Sequence, residues 1–153
     1  MKIVIGNDHA AIELKQDMIE YLSGKNDISV ADFGACKAEG IDYPDYAKTV
    51  CAKVASGEYD MGILLCGTGV GMSMAANKMR GIRAVVCSDP YSAKLSREHN
   101  NANVLCIGQR VVGSGLARVI VDAFLGASFE GGRHGGRVEK IMKIEESAFD
   151  QID

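Results

Sequence analysis

The chain has 153 residues, of which 47% are hydrophobic and 24% are charged, and these ordinary values favour one globular domain over disorder. The 17 Lys and Arg residues nearly balance the 20 Asp and Glu residues, so a net charge of −3 gives no indication of nucleic-acid or membrane-surface binding. No apolar run approaches the ~20 residues that span a bilayer, and the N-terminal run is too short and too quickly polar for a signal peptide.

Strand and helix patterns alternate along the chain. The predicted strands cover residues 3–5, 28–33, 61–65, 82–87 and 104–107. Helical spacing of apolar residues predicts helices over 11–22, 46–54, 70–79, 90–98 and 116–124, and a C-terminal helix over 138–149 after a Gly-rich hinge. This alternation predicts a single α/β domain over 1–153, a three-layer α/β/α sandwich with a Rossmann-like five-stranded parallel sheet. The strand order does not follow from the pattern.

The cysteines indicate a reducing compartment. There are five of them, an odd number, and no Cys-x-x-Cys motif occurs. Cys66, Cys87 and Cys106 lie in apolar runs that are typical of buried strands. A disulfide framework or a zinc cluster is therefore disfavoured, and we expect a cytoplasmic protein without a metal site.

Polar residues follow the predicted strands, where ligands bind in open α/β sheets. They are Asn7-Asp8-His9, Asp42-Tyr43, Gly67-Thr68-Gly69-Val70-Gly71, Ser88-Asp89 and Gly108-Gln109-Arg110. Polar strand ends are common in this architecture, so the glycine-rich segment is the more specific signal. Its alternating glycines let backbone N–H groups converge on an anion.

Two other interpretations of the segment 67–71 remain open. One is a tight turn without a ligand. The other is a dinucleotide-binding loop, since Asp89 lies 18 residues beyond Gly71, near the spacing of a ribose-binding acid. That motif requires a third glycine where this chain has Met72, which weakens the nucleotide interpretation.

Cys66 immediately precedes the glycine-rich segment. A thiol beside a helix N-terminus is a candidate base or nucleophile, because this environment favours the thiolate. The alternative is a small buried residue, which is the interpretation we prefer for the other four cysteines.

The histidines and two arginines also have alternative interpretations. His99 ends a predicted helix, where histidine often only compensates the helix dipole, and His9 could be a simple cap residue. Arg133 and Arg137 lie around a helix start, where positive charge is unfavourable without an anionic partner. They form either a solvated basic turn or an anion site, and this trailing segment could serve a neighbouring subunit.

The sequence resembles the type B ribose-5-phosphate isomerases, a family shared with galactose-6-phosphate isomerases. The resemblance spans nearly the whole chain in one register. It is carried by residues 6–10 (GNDHA), 42–44 (DYP), 65–71 (LCGTGVG), 75–78 (AANK), 81–84 (GIRA), 96–100 (SREHN), 108–112 (GQRVV) and 130–134 (EGGRH).

The resemblance implies interconversion of ribose 5-phosphate and ribulose 5-phosphate, a step of the non-oxidative pentose phosphate pathway, without a metal or organic cofactor. It implies that Cys66 moves the proton between C2 and C1 and that His99 helps to open the furanose ring. Some relatives use a Glu in the loop region instead of the Cys, so Cys66 implies the cysteine-dependent form. The loop formed by Gly67, Thr68, Gly69, Val70 and Gly71 matches the anion hole for the enediolate.

Further contacts are implied in the same way. Asp8, His9, Tyr43 and Asn100 match substrate-contacting positions, and Arg110, Arg133 and Arg137 match phosphate-binding positions. The resemblance implies a homodimer, or a dimer of dimers, with sites shared between subunits and the segment of about 130–153 packed on the partner. A six-carbon sugar phosphate such as galactose or allose 6-phosphate remains an alternative substrate, and a nucleotide-binding module an alternative function.

Overall fold

The computed structural model describes residues 1–37 and 42–149, so the last four residues of the segment 130–153 lie outside the described part. The strands are β1 (Lys2–Asn7), β2 (Ser29–Asp32), β3 (Met61–Cys66), β4 (Ala84–Val86) and β5 (Val104–Gly108). The helices are α1 (Ile12–Ser23), α2 (Tyr43–Ala55), α3 (Val70–Ala76), α4 (Pro90–Asn100), α5 (Ser114–Leu125) and α6 (Arg133–Phe149).

The five strands form one parallel sheet in the order β2-β1-β3-β5-β4. In its centre, Ile3 pairs with Met61 and Gly62 pairs with Val104. The predicted fold class, a single α/β domain with a five-stranded parallel sheet, is therefore confirmed.

Alternating side chains of the central strands form a hydrophobic core on each face of the sheet. Ile5 and Ile63 point into one core, where they meet Phe124 of α5 and residues of α1. Leu64 points into the other core, where it meets residues of α2 and Met72 of α3. Because both faces are covered, these strands are apolar throughout, which explains the unbroken hydrophobic runs of the sequence.

The predicted boundaries of four elements were wrong. β4 has three residues rather than six, and β2 four rather than six. The helix expected over 70–79 ends at Ala76, because the Asn77 side chain bonds both backbone groups of Ala84 at 2.8 and 2.9 Å. The C-terminal helix begins at Arg133 rather than 138, so Gly135 and Gly136 are helical.

Helix α4 runs from the carboxyl edge of the sheet, where the parallel strands end, to the amino edge, where they begin. It starts just after the carboxyl end of β4 and ends just before the amino end of β5. At that amino end, the Asn101 carbonyl accepts a hydrogen bond from Nε of Arg83, which directly precedes β4. With 11 residues at 1.5 Å each, α4 holds its two ends ~16 Å apart.

No helix in the described ranges combines the length and the apolar character needed to cross a membrane.

Candidate active site

Cys66 ends β3 at the carboxyl edge of the sheet, and the loop 67–71 folds over it. The backbone N–H of Gly69 donates to the Cys66 Sγ at 3.1 Å. Gly69 has φ +79°, a left-handed conformation that favours glycine, and this turn aims its N–H back at the sulfur. With 6% of Cys66 exposed, its thiol is largely shielded from water.

Glycines allow the surrounding side chains to approach this loop closely. A Cβ on Gly108 would lie 2.5 Å from the backbone of Thr68, so β5 and the loop pack without space for a methyl group. A Cβ on Gly71 would lie 3.0 Å from the Tyr43 ring, and one on Gly67 3.4 Å from the Arg110 guanidinium. The predicted residues Tyr43 and Arg110 therefore lie beside the glycine loop.

Asp8 and His9 follow β1, the strand next to β3. The Asp8 backbone N–H donates to the Leu65 carbonyl at 3.2 Å, which ties this turn to the strand carrying Cys66. The Asp8 carboxylate accepts from the Ala10 N–H at 2.8 Å and is 7% exposed, whereas His9 is exposed.

A hydrogen bond to the glycine loop distinguishes Cys66 from the other cysteines inside the protein. Burial raises the pKa of Cys51 to about 12 and that of Cys87 to about 11, so both stay protonated near neutral pH. Burial also raises the pKa of Cys106. Only Cys66 among the four buried cysteines bonds the glycine loop, which leaves it as the candidate thiol for chemistry.

His99 lies at the opposite, amino edge of the sheet, at the end of α4. Its ring stacks on that of His134 in α6, with centroids 4.2 Å apart and 2° between the planes. The Glu130 Oε2 lies 3.9 Å from Nε2 of His99 and 3.7 Å from Nε2 of His134. Arg133 and Arg137 lie on the first turns of α6, so this edge carries two exposed guanidinium groups.

The sequence did not indicate a role for Glu130 or His134. Together with His99 they offer three candidate metal-ligand atoms, from two imidazoles and one carboxylate, within 4.8 Å of one another. A metal nevertheless fits poorly, because parallel rings direct their lone pairs side by side rather than toward one point. In addition, Nε of Arg133 donates to Nε2 of His134 at 3.4 Å and engages the lone pair a metal would need.

The predicted site residues thus form two groups on opposite edges of one subunit. The carboxyl-edge group contains Cys66, Thr68, Asp8, His9, Tyr43, Arg110 and the glycine loop. The amino-edge group contains His99, Asn100, Arg133 and Arg137. The ~16 Å length of α4 separates the groups, so no single subunit unites them.

Asp89, the acid of the nucleotide interpretation, has a structural role. Its carboxylate accepts from the Ser92 N–H at 2.7 Å and caps α4. This hydrogen bond is the chief reason that the pKa of Asp89 lies below its usual range. The carboxylate is therefore occupied at the helix N-terminus, which removes the argument for a ribose contact.

Another side chain of the carboxyl edge was missed. The Gln109 Oε1 accepts from the Leu14 N–H at 3.0 Å, joining the end of β5 to the first turn of α1. The sequence offered only its place after a strand as a signal.

The amino edge also contains an apolar groove of about 840 Å³ between α6 and the β4 region. Ile141 and Ile144 of α6 line it and are 46% and 68% exposed. Cys66 and its loop are not among the lining residues, so the groove is suited to packing rather than to the chemistry.

A parallel sheet with a glycine loop and polar side chains at its carboxyl edge defines a ligand-binding α/β protein of the doubly wound class. A model of the ribose/galactose isomerase family matches residues 3–141, and the chain belongs to that family.

Relatives extend this result over almost the full chain. Ribose-5-phosphate isomerase B of Escherichia coli is 57% identical over 95% of this chain and 97% of its own length. The D-erythrulose-4-phosphate isomerase of Pectobacterium atrosepticum is 46% identical over 95% of each chain. The structure of ribose-5-phosphate isomerase B from Mycoplasma genitalium with bound ribulose-5-phosphate has a TM-score of 0.90 and 44% identity, over 95% of this chain and 96% of that one.

Proposed function

We propose that the protein interconverts D-ribose 5-phosphate and D-ribulose 5-phosphate. The observation that carries this proposal is Cys66, held by the Gly69 N–H at the carboxyl edge, in a chain of the ribose/galactose isomerase family. The 57% identity to a ribose-5-phosphate isomerase favours the five-carbon substrate over six-carbon ones.

The reaction moves one proton between neighbouring carbons of the open-chain sugar. The Cys66 thiolate removes the proton from C2, and the electron pair forms an enediolate whose charge lies on the oxygen of C1. Loop N–H groups and the Thr68 hydroxyl stabilise that oxygen, an effect that contributes several kcal/mol in comparable sites. The hydroxyl proton on the oxygen of C2 moves to the oxygen of C1, which shifts the negative charge to the oxygen of C2. The Cys66 thiol then returns the proton to C1, the C2 carbonyl forms, and the ketose results without a redox partner.

We further propose that the active site is shared across a homodimer. The substrate phosphate needs cationic partners, and Arg133 and Arg137 are exposed on α6 with side chains suited to phosphate. Since they lie on the edge opposite to Cys66, they act on the carboxyl edge of a neighbouring subunit. His99 and Asn100 reach the same neighbouring site, and the described part of the C-terminal segment, residues 130–149, packs on that partner.

A substrate series tests the proposed reaction. Purified protein is assayed with ribose 5-phosphate, allose 6-phosphate and galactose 6-phosphate under identical conditions. We expect the largest kcat/KM with ribose 5-phosphate. A larger kcat/KM for a hexose phosphate would show that the substrate is a six-carbon sugar phosphate. Tight nucleotide binding without turnover of any sugar phosphate would show that the protein is a nucleotide-binding module instead.

A four-carbon substrate is the second candidate, because a relative 46% identical to this chain carries the name D-erythrulose-4-phosphate isomerase. Adding D-erythrose 4-phosphate to the series decides between the two. We also propose a cytoplasmic location, which the five free cysteines support and which cell fractionation tests.

A further inference from the structure

The stacked pair of His99 and His134 at the amino edge includes a residue without an assigned role, His134. His134 is 5% exposed, whereas the His99 side chain is 34% exposed. The buried ring therefore supports the accessible one. The two rings are parallel to within 2°, with centroids 4.2 Å apart, so one face of His99 stacks on His134.

Other contacts hold His134 in place beneath His99. Its backbone N–H donates to the Gly131 carbonyl at 2.9 Å, and its Nε2 accepts from Nε of Arg133 at 3.4 Å. The Glu130 N–H donates to the Glu98 carbonyl at 3.0 Å, which ties the start of this segment to the residue before His99. The stack is thus fixed from both the α4 side and the α6 side.

The charge state of His134 suits such a support. An arginine only donates hydrogen bonds, so Nε2 of His134 accepts and the ring carries its proton on Nδ1. Burial, followed by the positive neighbours His99 and Arg133, lowers the pKa of His134 below its usual range. A neutral ring in the stack does not repel a proton on His99, whereas a second imidazolium would.

We propose that His134 is a positioning residue that holds His99 in the orientation needed to open the furanose ring. The inference rests on the proposed function. In ring opening the anomeric hydroxyl loses a proton, its electron pair forms the C1 carbonyl, and the bond from C1 to the ring oxygen breaks. The ring oxygen takes up a proton, so the step is balanced and needs a correctly aimed proton-transfer group.

Two substitutions separate stacking from imidazole chemistry. His134→Phe keeps a flat ring against His99, while His134→Leu removes it. We expect His134→Leu to reduce kcat/KM for ribose 5-phosphate at least tenfold and His134→Phe to stay within about threefold of wild type. Unfolding midpoints of both variants identify any loss that comes from unfolding.

A second measurement follows proton transfer without the ring-opening step. Ribulose 5-phosphate is acyclic, because the oxygen that would close its furanose carries the phosphate. Deuterium incorporation at its C1 in D2O therefore reports proton transfer by Cys66 without ring opening. We expect His134→Leu to exchange at close to the wild-type rate while its turnover of ribose 5-phosphate is low.

Each outcome decides the question. Wild-type turnover in His134→Leu, an equal loss in His134→Phe, or a parallel loss of exchange and turnover would each overturn the positioning role. Absence of ribose 5-phosphate turnover in the wild-type protein would instead contradict the proposed function itself.

Discussion

Subunit complementation tests whether the two edges of the sheet meet across a dimer interface. Cys66→Ser removes the thiol from the carboxyl edge, and Arg137→Ala removes a phosphate partner from the amino edge. Each homodimer is expected to be inactive. When the two proteins exchange subunits, a mixed dimer contains one site with both lesions and one site with neither.

The length of α4 and the length of the substrate support this expectation. The two groups are separated by the ~16 Å of α4. From the phosphorus to C1, an open-chain ribose 5-phosphate has six bonds of about 1.5 Å and spans roughly 8 Å. The substrate is about half as long as α4, so we expect Cys66 and Arg137 of one subunit to serve different substrate molecules.

The assay mixes equal amounts of the two proteins under conditions that permit exchange, which mass labelling verifies. Random pairing makes half of the dimers mixed, so activity should return to about a quarter of wild type. Cys66→Ser mixed with Asp8→Ala is the matched control, because both residues lie on the carboxyl edge and every site keeps one lesion. No recovery with Arg137→Ala despite verified exchange would refute the shared site.

Four further predictions concern single residues and ions. Cys66→Ser should fold normally and lose more than 90% of kcat, since about 1.4 kcal/mol of barrier corresponds to a factor of ten. Exhaustive chelation should leave the turnover of ribose 5-phosphate unchanged, as the resemblance implies. Gly108→Ala should lower the free energy of unfolding by about 1–3 kcal/mol, because its Cβ would lie 2.5 Å from the Thr68 backbone. The capping hydrogen bond lowers the pKa of Asp89, so its stabilisation is present at neutral pH and is lost as the pH falls below about 4.

Each of these four predictions has a result that would contradict it, and Gly108→Ala also has a matched control variant. Cys66→Ser with more than about a tenth of wild-type kcat would exclude it as the base. Activity lost on chelation and restored by a divalent ion would show a metal requirement. Gly113→Ala, whose Cβ would meet nothing within 4 Å, is the matched control for Gly108→Ala, and equal stability of the two would contradict the packing argument. Asp89→Asn should lose less stability than wild type between pH 5 and 3 in denaturant titrations, and identical curves would contradict the capping effect.

The fold could be predicted from the sequence because its signals are local. Apolar runs at β1, β3 and β5 are continuous since both faces of the sheet are covered, and helical spacing marks α1, α2 and α5. One exception depended on a contact between two elements. Asn77 ends α3 by bonding Ala84 at the start of β4, seven residues further on, and the spacing of apolar residues does not record that contact.

The residues of the candidate site could be predicted from the sequence, but their division between the two edges of the sheet could not. Strand ends and the glycine loop identify the carboxyl-edge group, because parallel strands bring their carboxyl ends to one edge. The resemblance added His99 and the arginines, yet strand order and helix direction were needed to separate them from Cys66. Glu130 and His134 are four residues apart, a spacing that acquires meaning only once α6 packs against the end of α4.

Under the proposed shared site, the placement of complementary groups on opposite edges of the sheet makes assembly a condition of activity. A lone subunit would hold the thiol, the glycine loop and Arg110, yet it would lack two of the three proposed phosphate partners, Arg133 and Arg137, and the ring-opening group. Below the dissociation constant of the pair, the concentration of working sites would fall with the square of the protein concentration. The turnover per chain would therefore depend on the protein concentration, since a newly made chain contributes no turnover until it meets a second one.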